Sequence, residues 1–275
     1  MKNPSRYLNS RALLALTTCL SALLVAVGCG GGGEATTTTP AGTFTTLHKG
    51  TLTVGSHIPY PPFEFGRAPK YEGFDIDVVN EITKRLGLDD KFVNTRFATI
   101  LDDLANGKFD MVASATTITP AREKKALFSD PYLPVDQSLM VKRGSDITAV
   151  ADVKGKIVGA QTGTTGADYA KKRTRAKTVR PYESIDDAFN ALAAGQVDAV
   201  INDFPISKYA EKSHPDLEVV ETLPTGEQYG FAFPMEADYL QRSVNNVLTG
   251  MKGDGTYTKI YRKWFNVAPP STFAG

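Results

Sequence analysis

The sequence predicts an α/β protein built of two lobes with like topology. From Thr51 onward, β-rich runs alternate with helical patterns, an order that covers sheets with helices. One helix–glycine–strand unit occurs twice. Residues 104–112, LANGKFDMV, match residues 192–200, LAAGQVDAV, and two copies describe two lobes and not a short-period solenoid, which needs several. The chain of 275 residues is 41% hydrophobic and 22% charged, which supplies a sizeable core without disulfides and excludes disorder throughout.

The elements follow in order. TLTVGS (51–56) is a short strand. Residues 75–86 place Val79, Ile82 and Leu86 on one helical face, with Asp75 as N-cap, Asp77 in the first turn and Gly87 at C′. Thr99 and Asp102 are spaced as a capping box for a helix that Gly107 stops. FDMVASA (109–115) is the next strand, and Thr119-Pro120 opens another helix, because proline is tolerated at a first helical position. In the second half, KIVGAQ (156–161) is a strand and GTTG (163–166) turns into a helix over 165–175. Ser184 and Asp187 make a second capping box for a helix over 185–194, and VDAVIND (197–203) is a strand. Two helices close the chain. Leu240, Val244, Val247, Leu248 and Met251 form one apolar stripe, and Tyr257, Ile260, Tyr261, Trp264 and Phe265 the other. In sheets of this kind, ligands bind outside the carboxyl ends of the strands.

Charge and composition exclude several functions. With 31 basic and 30 acidic side chains there is no concentrated basic footprint, so no nucleic-acid partner is expected. Three histidines and two cysteines, all scattered, are too few for a structural zinc framework. No metal, cofactor, nucleophile triad or phosphate-binding Walker loop is expected.

Residues 1–11 carry Lys2, Arg6 and Arg11 and no acid, and residues 12–28 are apolar or small. This reads as a secretory signal over 1–28, on the short side for a spanning helix of ~20 residues. Residues 26–29, Ala-Val-Gly-Cys, resemble a bacterial lipobox, in which the cysteine is lipidated and becomes the mature N-terminus. That implies a lipid on Cys29, although Ala26 stands where leucine is commoner; plain secretion with cleavage further on is the alternative. Residues 29–46 are then the lipidated cysteine and a Gly/Thr-rich tether that cannot bury enough apolar surface to order itself.

Six segments, taken together, resemble one family. GSHIPYPPFEF (55–65), YEGFDIDVVNEITKRLG (71–87), GKFDMVASATTITPAREKKALFSDPY (107–132), GAQTGTTGADYA (159–170), AGQVDAVIND (194–203) and GTYTKIYRKWF (255–265) are similar to the extracellular solute-binding proteins, family 3, of polar amino-acid ABC transporters. The resemblance implies a type II periplasmic-binding-protein fold: two lobes joined by two crossovers, with the ligand in the cleft between them. Lobe 1 would be 47–138 plus 230–275, lobe 2 would be 139–229, and the hinges fall near residues 136–140 and 228–231. It also implies an extracytoplasmic monomer that binds a free L-amino acid and serves an ABC permease in the cytoplasmic membrane, to which the lipid anchor holds it.

A free amino acid is a zwitterion, so burying it requires a fixed cation, a fixed anion and backbone donors. Arg122 suits the carboxylate, which guanidinium meets bidentately. In the family, the arginine of a TxTPxR segment does this with help from the position of Thr117. By spacing alone, Arg122 reads equally as a solvated helix charge. Asp203 ends an apolar strand where it can neutralise the ammonium or cap the following turn; the family uses the matching Asp for the ammonium. Thr164 and Thr165 stand at a helix N-terminus, which favours an anion. Ala115 aligns with a position that offers a carbonyl to the ammonium, and Ser114 is beside it. Tyr60 and Phe97 match the aromatic positions that sandwich the ligand side chain, or are ordinary core. Pro61-Pro62 argues for Tyr60 on an exposed rim turn. Asp110 and Asp198 are read as structural.

His57 departs from the family, in which an Asp is common at this position and contacts the polar end of the ligand. His57 removes that charge, which favours neutral side chains such as glutamine. Arginine stays open through stacking on Tyr60 and Phe97. Gln161 and Asn202 are expected to line the same distal end, and Glu64 is the one acid nearby that could supply a charge. A rim residue with no ligand role is the alternative for His57. The competing function is an enzyme. Periplasmic cyclohexadienyl dehydratases share the fold and would need a general acid in the cleft, for which Glu64 is the only nominee. The sequence runs ten residues past Phe265, so no signalling or catalytic domain is expected to follow.

Overall fold

The computed structural model describes residues 37–39 and 42–274. The expected signal peptide, Cys29 and most of the expected tether lie outside them. Short antiparallel strands β1 (Thr37–Thr39) and β2 (Gly42–Phe44) come first. They are followed by β3 (Thr51–Ser56), a hairpin of β4 (Phe65–Arg67) and β5 (Lys70–Glu72), α1 (Phe74–Leu86), β6 (Asp89–Asn94), α2 (Ile100–Ala105), β7 (Met111–Val112), β8 (Leu127–Phe128) and the long β9 (Leu133–Lys142). Next come β10 (Ile157–Gln161), α3 (Thr165–Arg173), β11 (Thr178–Tyr182), α4 (Ile185–Ala193), β12 (Ala199–Asp203), α5 (Phe204–Ala210) and the second long strand, β13 (Leu217–Tyr229). The chain closes with β14 (Ala232–Phe233), α6 (Asp238–Gly253), α7 (Thr256–Phe265) and α8 (Ser271–Ala274).

Two five-stranded sheets result, ordered β6-β3-β7-β14-β8 and β11-β10-β12-β9-β13. In each, the first three strands are parallel and the fourth runs antiparallel to them. The sheets share one topology, as the internal sequence match predicts. The matched aspartates show why the match survives. Asp110 accepts from Thr53 N at 2.7 Å and Leu47 N at 2.7 Å; Asp198 accepts from Ile157 N at 2.7 Å. In both lobes an aspartate just ahead of one strand (β7 or β12) bonds the start of its parallel neighbour (β3 or β10). At the buried Thr53 amide, loss of that acceptor costs about 1–3 kcal/mol.

The long strands β9 and β13 pair along their length, Leu217 with Lys142 and Tyr229 with Leu133, and an isolated bridge joins Tyr229 to Thr117. They are the two crossovers between the sheets.

Local expectations fare unevenly. Gly87 caps α1 in the left-handed region and Ser184 accepts from Asp187 N at the start of α4. The N-cap of α1 is Gly73 instead of Asp75, whose carboxylate is fully buried and turned inward. Thr99 makes no cap bond to α2; its hydroxyl goes to Asp103 and the Arg96 carbonyl. No α-helix follows Thr119-Pro120. Residues 119–126 form two successive turns, closed on the Thr119 and Arg122 carbonyls. The segment offers only alanines as apolar side chains, and a helix this short needs a packed face. Phe44, the single aromatic of the expected tether, is 6% exposed, so ordered packing starts ahead of residue 47. In the closing helices Leu240, Val244, Leu248, Met251 and Tyr257 are buried, with Ile260, Tyr261, Trp264 and Phe265 packed partly against the same core.

Candidate functional site

The carboxyl ends of equivalent strands in the two sheets meet at one place. Lobe 1 contributes the loop after β3, which carries His57 and Tyr60, and the segment after β7, which carries Ser114, Ala115 and Thr117. Lobe 2 contributes the end of β10, with Gln161, Thr164 and Thr165, and the end of β12, with Asp203. Between them is a small cavity, walled by Tyr60, Phe97, Ala115, Thr117 and Arg122 on one side and Gln161, Thr164, Thr165 and Asp203 on the other. Nine residues expected at the site therefore face one space.

The lobes are in contact across it. Arg122 Nη2 donates to Gly163 O at 3.0 Å, and Tyr60 OH bonds Asn202 Oδ1 at 3.1 Å and Asp203 Oδ2 at 3.0 Å. Gly163 has φ +82° and lies so close to Ala98 that a Cβ would be 3.1 Å from its Cα, so a side chain would both strain the turn and hold the walls apart. These contacts also explain why Tyr60, expected on an exposed rim, is 6% exposed: the opposite lobe covers it.

Arg122 carries the cation. Its Nη1 donates to Thr117 O at 2.8 Å, and its guanidinium lies 5.3 Å from the Phe97 ring centroid. Among the described residues it has no ionic partner; both of its side-chain hydrogen bonds go to backbone carbonyls. Burial lowers its pKa, against the nearby Asp203 and Glu227 charges. A guanidinium so placed is stabilised by any anion that enters.

Asp203 carries the anion. It is 7% exposed, stands at the N-cap position of α5 and makes no cap bond there. Its carboxylate turns into the site, where Tyr60, Tyr229 and Gln137 donate to it. All three donors are neutral. Burial pushes its pKa up to about 6; the Tyr229 hydrogen bond opposes this, the Glu227 charge adds to it, and the bonds from Tyr60 and Gln137 oppose it. A cation entering beside it would relieve that penalty.

Thr164 caps α3 by accepting from Ala167 N at 3.0 Å, so it fixes the helix N-terminus while its own hydroxyl is occupied. Ala115 sits at φ +43°, a strained conformation for a residue with a Cβ. The buried Asp75 holds it there by accepting from Ala115 N at 2.9 Å, with Tyr132 OH on the same carboxylate. Burial raises Asp75 to about 7, opposed by those two bonds.

Four expected residues stand behind the wall. Glu64 is fully buried and bonded to Ser114 Oγ at 2.8 Å; burial and the Asp75 charge push its pKa well above the carboxylate range. Ser114 accepts from His57 N at 3.0 Å. Asn202 bonds the Tyr60 hydroxyl. His57 uses both ring nitrogens on protein, Thr95 O at 3.0 Å and Gln161 Nε2 at 2.9 Å.

Sequence reasoning missed Gln137, Tyr229 and Glu227. All three lie on the crossovers. Glu227 Oε2 accepts from Thr165 Oγ1 at 2.7 Å, Thr117 Oγ1 at 3.1 Å and Gln137 Nε2 at 3.3 Å, so a carboxylate of the protein already rests on two of the expected ligand hydroxyls. The expected hinge at 228–231 was the available signal for Tyr229.

Residues 52–267 match the model of the bacterial extracellular solute-binding proteins, family 3. The chain is 33% identical over 221 residues to ABC transporter arginine-binding protein 1 of Escherichia coli (strain K12), covering 78% of this chain and 90% of that one. It is 35% identical over 202 residues to the ABC transporter glutamine-binding protein GlnH of Bacillus subtilis (strain 168), covering 72% and 74%. Among solved structures, an ancestral amino acid-binding protein described as a precursor of cyclohexadienyl dehydratase superposes with a TM-score of 0.74 at 40% identity, over 78% of this chain and 96% of that one.

The raised Asp203 has a pH consequence. A cation facing it needs the ionised carboxylate, so affinity for an ammonium-bearing ligand is expected to be flat above about pH 7 and to fall towards tenfold per unit below about pH 6. Glu227→Gln removes a charge that raises Asp203 and is expected to move the break to lower pH. Calorimetric titrations across pH check this; a break that stays in place in Glu227→Gln contradicts it.

Proposed function

This chain belongs to the bacterial extracellular solute-binding proteins, family 3, and from that premise we propose that it captures a free polar L-amino acid between its lobes and delivers it to an ABC permease. The observation that carries the reading is the pair of opposite charges on one cavity: Arg122 without an anion on the lobe 1 wall and Asp203 without a cation on the lobe 2 wall. A zwitterion with its charges two bonds apart answers both at once. The helix N-terminus at Thr165 and the strained Ala115 turn supply backbone groups beside those charges.

Glutamine and arginine are the favoured ligands, in keeping with the relatives named for them. Closure on the ligand is supported by the site's construction: each lobe supplies one of the two charges, and Asp203 is held by residues of both crossovers. The reading is of a binding protein and not an enzyme. Glu64, the one acid nominated for dehydration chemistry, is shut behind Ser114 and does not line the cavity.

Delivery to a permease suits a protein held at the membrane, and the lipobox-like residues 26–29 favour a lipid on Cys29 followed by a tether. Among the described residues, no helix is long and apolar enough to cross a membrane. Mass spectrometry of the mature protein from a bacterial host is expected to find a diacylglyceryl group on an N-terminal Cys29. An unmodified N-terminus beyond residue 29 would refute the anchor.

The function itself is tested by calorimetry against the twenty amino acids, with Arg122 variants. Removing one partner of a desolvated, hydrogen-bonded ion pair costs about 2–5 kcal/mol. Arg122→Ala is therefore expected to lose roughly 30- to several-thousand-fold in affinity for the best ligand. Arg122→Lys is expected to bind poorly as well, since a point charge cannot copy the planar fork. Binding of that ligand to Arg122→Ala within threefold of wild type would show that the carboxylate site has been misplaced.

A further inference from the structure

The residues around His57 impose a chain of orientations that ends on the cavity wall. His57 follows β3 in lobe 1, and its Nδ1 lies 3.0 Å from the carbonyl of Thr95, which follows β6. A carbonyl can only accept, so the imidazole proton is on Nδ1. In the neutral ring Nε2 is then an acceptor. Its partner, 2.9 Å away across the cleft, is Gln161 Nε2 at the end of β10. The same nitrogen lies 3.1 Å from the carbonyl of Glu183, just past β11, and that carbonyl also can only accept. Both hydrogens of the Gln161 amide are thereby used on protein. Its Oε1, which accepts from no described group, is the atom left for the cavity that Gln161 lines. Burial lowers the His57 pKa, against the Thr95 carbonyl and the Asp186 charge, in keeping with a neutral ring.

We infer that His57 is a positioning residue that sets the Gln161 amide so that its Oε1 accepts a hydrogen bond from an N–H group on the ligand's side chain. The inference rests on the reading that this cavity takes a free amino acid, and it deepens that reading by naming what the side chain must carry. Arg122 and Asp203 answer the two main-chain charges, so the acceptor on Gln161 meets the side chain. It selects amide or guanidinium tips. A carboxylate tip would set oxygen against oxygen, and an alkyl tip would leave the acceptor unpaired. His57 does not touch the ligand; the two backbone carbonyls act through it and through Gln161. Without the imidazole, one amide hydrogen loses its partner and the Glu183 carbonyl is left as the amide's one anchor among the described residues.

Calorimetry of wild type, His57→Ala and His57→Gln with L-arginine, L-glutamine, L-glutamate and L-norleucine tests this, using competition for weak ligands. Wild type is expected to prefer arginine or glutamine over glutamate and norleucine. In His57→Ala the better of the two N–H-tipped ligands is expected to lose roughly tenfold, as for one hydrogen bond of ~1.4 kcal/mol, while norleucine shifts by less than about threefold. In His57→Gln an amide oxygen stands about where the imidazole Nε2 was, and the preference is expected to return to within about threefold of wild type. The inference is overturned if glutamate or norleucine binds wild type as tightly as the N–H-tipped ligands. It is equally overturned if His57→Ala weakens all four alike, or if His57→Gln falls with His57→Ala. Failure of wild type to bind any free amino acid overturns the reading of the cavity, and this inference with it.

Discussion

Two opposite charges that have no ionic partner among the described residues face one small cavity, and much of the surrounding structure serves to keep them there. In a closed protein, Arg122 and Asp203 would be expected to pair with each other or with neighbours, because an uncompensated buried charge is costly. Here the guanidinium is spent on two carbonyls and the carboxylate on three neutral donors. Those hydrogen bonds orient the charges without neutralising them. The elevated Asp203 pKa is one measure of the cost, and the left-handed Ala115 held by a buried carboxylate is another. Strain and desolvation collected at one place suggest a site that a ligand completes.

The twofold plan of the chain explains how the charges come to face each other. One sheet presents the ends of β3 and β7 at the cleft and the other the ends of β10 and β12, and the matched aspartates 110 and 198 hold those strands in the same relation. The crossovers do more than connect. Gln137 on β9 and Tyr229 on β13 both bond Asp203, while Glu227 on β13 bonds hydroxyls of both lobes. The hydrogen bonds that hold the anion thus come in part from the strands that pass between the sheets.

The repeat at residues 104–112 and 192–200 made the two lobes legible, and hydrophobic periodicity placed the long helices. Nine residues that the family resemblance nominated line one cavity; spacing alone left Arg122 as a solvated charge. Contacts made across the cleft were not legible. Nothing local in the sequence says that Tyr60 is covered, that Glu64 is sealed behind Ser114, or that His57 meets Gln161, since each depends on a segment 50 or more residues away. The expected helix after Pro120 failed for a related reason: its spacing suited a cap, but it has no apolar face to pack. Asp75 has the spacing of a cap, but its partner, the Ala115 amide, lies 40 residues on.

If Arg122 and Asp203 each meet one charged end of the ligand, both ends must be recognised, and blocked ligands test that most directly. Once the best amino acid is known, the same calorimetric titration is repeated with its Nα-acetyl derivative, which lacks the ammonium, and its α-carboxamide, which lacks the carboxylate. Unpaired charges on both walls predict that each modification alone weakens binding by roughly 30-fold or more, as for a buried ion pair with one partner removed. Binding of either blocked ligand within threefold of the free amino acid would contradict the claim that Arg122 and Asp203 wait for opposite ends of one zwitterion.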